Sequence, residues 1–157
     1  MTKEDAQGKG YVHYQSWIET YTDLIPDHFL ARHSFERTVQ LAYEHPENTW
    51  IAITDDTIVG FSCFMESRDE DLSGAGEIAA IYVLKAYQHQ GIGKKLLEVA
   101  LSSLKSYQVI SLWVLKENKQ AIKFYEKHGF QKDGSSKIVM ERQAIRMIKE
   151  INGVDEK

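Results

Sequence analysis

With one cysteine in 157 residues, Cys63, the chain can form no internal disulfide, and no grouping of Cys and His has the spacing of metal ligands, so no metal is expected. Cys63 sits in the apolar stretch IVGFSCFM, where a buried small hydrophobe is the simpler role and a nucleophile the sharper one. Long apolar runs are missing as well: nothing approaches the roughly 18 residues of a membrane span. The opening MTKEDAQGKG lacks the apolar core of a signal peptide, so residues 1–9 read as a flexible tail and the protein as cytoplasmic. Nor is there an excess of positive charge. Lys and Arg number 19 against 23 Asp and Glu, and the formal charge of −4 argues against a nucleic-acid partner, because phosphate-backbone binders display a basic face. The chain is nevertheless long enough to bury a core without disulfides or metals, and residues 1–157 are read as one domain.

What is present is a regular succession of patterns. Tyr14, Trp17, Ile18, Tyr21 and Ile25 recur at helical spacing until Pro26, a face explained as well by packing as by ligand contact. A second helix is predicted from about Phe35, with Ser34 as N-cap and Val39, Ala42 and Tyr43 on one side, ending before Pro46. WIAITDDTIVGFSCFM reads as an antiparallel hairpin about Asp55 and Asp56. The charged, serine- and glycine-containing ESRDEDLSGAGE reads as a loop. IAAIYVL and VISLWVL are near-continuous apolar runs separated by a helix bearing Leu96, Leu97, Ala100, Leu101 and Leu104, as expected for neighbouring buried strands in a βαβ crossover. A further helix from about Asn118 to His128 stops at Gly129, and short strands follow near FQKDG and AIRMIKEI. The order predicts an α/β (α+β) domain with one mixed central sheet of about six to seven strands flanked by helices.

The segment QHQGIGKK follows a buried strand and opens a helix. A P-loop requires GxxxxGK followed by Ser or Thr, which is absent, and a dinucleotide fingerprint requires a third glycine where Leu96 stands. What remains is Q-x-x-G-x-G, from Gln88, Gly91 and Gly93. First-turn amides of a helix lack intrahelical acceptors and carry the positive end of its dipole, so beside a bare glycine backbone they can hold a diphosphate. Lys94 and Lys95 add local positive charge. The simpler reading is a tight strand-to-helix turn.

This pattern resembles the coenzyme A pyrophosphate loop of the GNAT superfamily of N-acetyltransferases, and ENKQAIKFYEKHGF resembles the family's N-x-x-A-x-x-x-Y-x-x-x-G-F helix. The likeness runs over about residues 10–150 in element order and is specific from Glu77 to Phe130. It implies acetyl-CoA as co-substrate, with Gln88, His89, Gln90, Gly91, Ile92, Gly93 and Lys94 at the pyrophosphate-binding positions. It implies too that Ile81, Tyr82 and Val83 offer main-chain groups to the pantetheine arm. Gln88 stands where many relatives have arginine. Asn118 and Tyr125 match the residues that contact the cofactor arm and lie near its sulfur. Their separation of seven residues, at about 100° per residue, puts both on one helix side. The alternative reading is an N-cap and a core aromatic.

Acetyl transfer needs a neutral amine and a proton for the departing thiolate, and an ordinary alkyl amine has a pKa of about 10. Tyr125 is the candidate general acid. Glu77, fourteen residues before Gly91 as in histone-acetylating members, is the candidate base. Four extended residues from Glu77 to Ile81 span about 13 Å, so it would act through water or after a β-bulge shortens the path. Other members carry a glutamate near the position of Trp113, which leaves Glu77 or solvent. The expected acceptor is a small-molecule or peptide amine. Glu66, Asp69, Glu70 and Asp71 are available to attract a cation, and Trp17, Tyr21 and His28 to line the pocket. A non-catalytic coenzyme A sensor is the alternative function, and dimerisation is common among relatives.

Overall fold

The computed structural model describes residues 1–151. Its helices are α1 (Ala6–Tyr21), α2 (Asp27–Arg32), α3 (Phe35–Glu44), α4 (Ile92–Ser103) and α5 (Lys119–Lys127). Its strands are β1 (Thr49–Thr54), β2 (Thr57–Glu66), β3 (Gly76–Val83), β4 (Val109–Leu115), β5 (Gln131–Val139) and β6 (Arg142–Glu150). Short 3-10 turns cover Lys3–Asp5, Glu70–Leu72 and Lys85–Tyr87. The six strands form one sheet in the order β1-β2-β3-β4-β6-β5. All neighbours are antiparallel except β3 and β4, which run parallel as the βαβ reading expects.

The principal core lies between α4, α5 and one sheet face. Leu97 and Ala100 of α4 and its C-cap Leu104 meet Ile78, Ile110, Leu112 and Met147, all at most 2% exposed. This is the face that helical spacing marked on α4. A second cluster joins Ile25, Leu115 and Ala144 to Trp17, Tyr21, Phe29 and Trp113 on the opposite face, under α1 and α2. Ser34 caps α3 as predicted, its hydroxyl accepting from Arg37 N at 3.1 Å.

Residues 1–9, expected as a flexible tail, are instead the Lys3–Asp5 turn and the first residues of α1, with Ala6 and Lys9 only 4% and 7% exposed. The reason is close packing. A Cβ on Gly10 would sit 2.7 Å from Val39 Cα, so the missing side chain lets α1 cross α3 at backbone contact. Consequently α1 starts eight residues before Tyr14, and the face it buries most deeply carries Val12 and Ser16 rather than the aromatic stripe. Tyr14, Trp17, Ile18 and Tyr21 are half-buried. Pro26 ends α1's pattern by serving as N-cap of α2, a helix the sequence did not announce.

Candidate active site

Parallel β3 and β4 should pair along their length, yet their ladder holds only Gly76 with Ile110 and Glu77 with Ser111. Beyond Glu77 the strands diverge. A cleft of about 980 Å³ opens in the wedge, lined by Ile78 to Val83 on one side and Leu112 to Val114 on the other. At its rim stand the turn before α4, through Gln88, His89, Gly91, Gly93 and Lys94, and the α5 side, through Asn118 and Tyr125. The residues singled out from sequence thus converge on one cavity, with Gln90, Ile92 and Glu77 outside its lining.

The turn has the geometry an anion needs. His89 and Gly91 adopt left-handed backbone, φ 64° and 83°, with Gln90 between them outside that region, and such alternation folds successive amides around a concavity. Gly91 is the N-cap of α4 and offers no side-chain cap; the first hydrogen bond back into the helix comes from Lys95 N to Gly91 O. The amides of Ile92, Gly93 and Lys94 therefore precede the helix's own bonding. Nothing lies within 4 Å of where a Gly91 Cβ would be, so that glycine serves backbone conformation and open approach, not packing. Gln88 is committed elsewhere: its Nε2 donates to Val83 O at 3.1 Å, closing the turn. Lys85, Lys123 and Lys127 also face the cleft, with Lys94 giving four ammonium groups against a single lining carboxylate, Glu19, among the described residues. Lys123 and Lys127 escaped the sequence reading, although their i, i+4 spacing on α5 was the available signal.

Asn118 Oδ1 caps α5 by accepting from Ala121 N at 3.3 Å, so the N-cap reading holds while its amide nitrogen remains as the group that can meet a ligand at the cleft. Tyr125 packs edge-on against Phe130 and borders the wedge. Burial, reinforced by nearby Tyr21, raises its phenol well above the ordinary range. Across the wedge the hydroxyls of Tyr21 and Tyr82 are 3.1 Å apart, and burial raises both phenols in turn.

Glu77, the expected base, does not reach the cleft. A bulge is present: Cys63 pairs with Ala80 and Phe64 with Ile78, leaving Ala79 unmatched. Since cross-strand partners share a face, Glu77 opposite Met65 lies on the same face as Tyr82 opposite Phe61. The carboxylate is nevertheless taken by Arg68 and does not line the cleft. It is 2% exposed, Oε2 accepting from Arg68 Nη2 at 2.7 Å and Oε1 from Arg68 N at 3.2 Å. The following acidic loop is equally committed. Buried Arg146 on β6 binds Asp69, Asp71 and Asp133 at 3.2, 2.7 and 2.6 Å, while Trp113 Nε1 donates to Asp69 at 2.9 Å. His28, expected near the pocket, pairs instead with Glu141 at 3.1 Å. Cys63 lies against Thr49 Oγ1 at 3.4 Å and outside the cleft lining, which favours the packing role. Among the described residues no group of three or more His, Cys, Asp or Glu is arranged to hold a metal, and no helix is long and apolar enough to cross a membrane.

Comparison with known proteins gives this geometry a context. Residues 11–130 match the family described as Acetyltransferase (GNAT) family. An uncharacterized N-acetyltransferase of Bacillus subtilis, YuaI, is 30% identical over 135 residues, covering 78% of this chain and 73% of that protein. A spermidine N(1)-acetyltransferase of Thermoplasma acidophilum is 26% identical over 157 residues, covering 91% and 94%. Among solved structures, PH1933 from Pyrococcus horikoshii superposes with a TM-score of 0.72 at 28% identity, over 93% of this chain and 92% of that one. The PaiA N-acetyltransferase of Thermoplasma acidophilum, solved with coenzyme A, shares the fold with a TM-score of 0.69 at 23% identity, over 96% and 95%.

Proposed function

The chain belongs to the GNAT acetyltransferase family and is an acetyltransferase; from that premise we propose that it moves an acetyl group from acetyl-CoA to a primary amine by direct attack in a ternary complex. The observation that carries the reading is the divergence of β3 from β4 immediately beside the left-handed turn at His89 and Gly91. One feature leaves strand edges free to bind an extended arm, and the other leaves helix amides free to bind its diphosphate.

Fit to the coenzyme rests on these groups. The amides from His89 to Lys94 would receive the diphosphate, Lys94 adding charge. Ile81, Tyr82 and Val83 would pair with the pantetheine arm as a strand does, and the Asn118 amide would meet it from α5. When bound, acetyl-CoA supplies a thioester carbonyl open to attack by a neutral nitrogen. Main-chain N–H of β3 would polarise the carbonyl oxygen. Tyr125, held protonated by its burial, donates a hydrogen bond to the departing sulfur. Its raised pKa suits stabilising the thiolate more than giving the proton away outright. Glu77 is not assigned the base: its clamp on Arg68 makes it an anchor of the loop after β2, and solvent removes the amine proton.

Thiol release across a panel of amines, with wild type and Tyr125→Phe, tests this reading. We expect kcat to fall by about 100-fold in the variant, the usual cost of removing one hydrogen-bond donor to developing negative charge, with coenzyme A affinity by calorimetry unchanged. Equal turnover in the two proteins would remove Tyr125 from the mechanism.

A further inference from the structure

Resting on the acetyl-transfer reading, we propose that the acceptor nitrogen is an α-amino group on an apolar or aromatic residue, as at the start of a peptide, and not the alkyl amine of a polyamine or lysine. Three observations converge on this class.

Carboxylates that could attract a cation are already in use. Glu19, among the described residues the single acid lining the cleft, accepts from Lys85 N at 2.9 Å and from Gln15 Nε2 at 3.2 Å. Asp69 and Asp71 are held by Arg146, Glu77 by Arg68 and Glu141 by His28. Glu66 and Glu70 are exposed and do not line the cleft. Among the described residues a polyamine or lysine would find no unpaired carboxylate lining the cleft, and pulling Asp69 away would strip buried Arg146 of one of its partners.

The acceptor side is instead aromatic. Tyr21, Tyr82 and Trp113 line it, and Trp17 meets Tyr21 edge-on with ring centroids 5.1 Å apart. Trp113 Nε1 donates to Asp69 at 2.9 Å, while Lys137 Nζ and Arg146 Cζ lie 4.2 and 5.6 Å from its ring centre, so the charges around the indole are mixed and already paired. That surface accommodates an apolar body.

Deprotonation points the same way. The lining histidines are His89 in the glycine turn and His128 past the end of α5, the latter's Nδ1 bonded to Phe124 O at 2.9 Å, so neither stands at the aromatic end. Among the described residues no histidine lines that end, since His13 and His33 pack against Tyr82 and Trp17 without bordering the cleft, so the acceptor must arrive neutral. At pH 7 about one α-amino group in seven is neutral, against about one alkyl ammonium in 2,500, from pKa values of about 7.8 and 10.4. Transfer forms the C–N bond and breaks the C–S bond; the neutral amine gives up one proton as the thiolate takes up one, and the balance closes without an enzyme base.

The test is kcat/KM at saturating acetyl-CoA and pH 7 for phenylalanine amide, glycine amide and spermidine, with calorimetry of each amine in the presence of coenzyme A. Phenylalanine amide should exceed spermidine by at least about tenfold, allowing the neutral-fraction advantage to be partly offset by lower nucleophilicity, and should level off above about pH 8. It should also exceed glycine amide and bind more tightly than spermidine. A preference for spermidine, or no turnover with any amine while coenzyme A still binds, overturns the acceptor class and leaves the coenzyme site standing. Failure to bind coenzyme A would instead sink the transfer reading on which it depends.

Discussion

Acidification should destabilise this protein through His13, by an amount the structure lets us work out. The ring stacks on Tyr82 at 6.0 Å, meets Phe61 and His33 edge-on at 5.8 and 5.9 Å, and has Lys9 one helical turn away. Its buried Nδ1 has no hydrogen-bond partner. Desolvation first, then Lys9 and His33, lower its pKa from 6.5 to about 4. The unfolded chain therefore takes up a proton that the folded chain refuses, so stability is full above pH 6.5 and falls as pH drops toward 4. Between pH 7 and pH 4.5 the loss integrates to about 2 kcal/mol, an upper value because water reaching the ring would screen it. For a domain of this size that is roughly 4–8 °C in Tm. His13→Leu removes the titrating group. Thermal melts of wild type and variant at both pH values isolate the term by difference, since His33 and the carboxylates contribute to both proteins. Parallel pH dependence in the two would show that His13 is not held neutral by burial and would refute the reasoning.

Three further outcomes are expected. Gly91→Val should lose coenzyme A affinity by more than about tenfold in calorimetry while the protein still folds: nothing obstructs the added Cβ, but φ of 83° costs at least about 1–2 kcal/mol for a side chain, so Tm should drop slightly. Arg146→Met leaves Asp69 and Asp133, 18% and 13% exposed, facing each other without their cation, and chemical denaturation should show a loss of about 3 kcal/mol; a loss near zero would mean that the cluster holds nothing together. Glu77→Gln should lower Tm and reduce kcat by less than about tenfold, whereas removal of a general base would cost about 100-fold or more with stability intact.

Much of the site was legible before the fold because its parts are local. Gly91 and Gly93 follow a strand and open a helix, and Asn118 and Tyr125 lie seven residues apart on one helix. Each pattern depends only on backbone propensity and helical period, which neighbouring residues decide. The misread elements depend on distant partners. Residues 1–9 carry one glycine and several charges, the composition of a tail, yet Gly10 just beyond them is small because α3 crosses there. Glu77 had the right distance along the chain to Gly91, but Arg68, in the loop after β2, takes its carboxylate.

Sequence by itself settled the order of the strands along the chain, the buried face of α4, the strand-turn-helix at Gly91 and the placing of Asn118 and Tyr125 on one helix side, because such features arise from neighbouring residues, while the short helix α2 went unannounced. Tertiary structure alone decided that β3 and β4 part after Glu77, that Tyr21 reaches Tyr82 across 61 positions, and that Arg146 gathers Asp69, Asp71 and Asp133. Those outcomes are set by where whole helices and strands can pack, and a carboxylate's availability depends on which cation that packing brings to it.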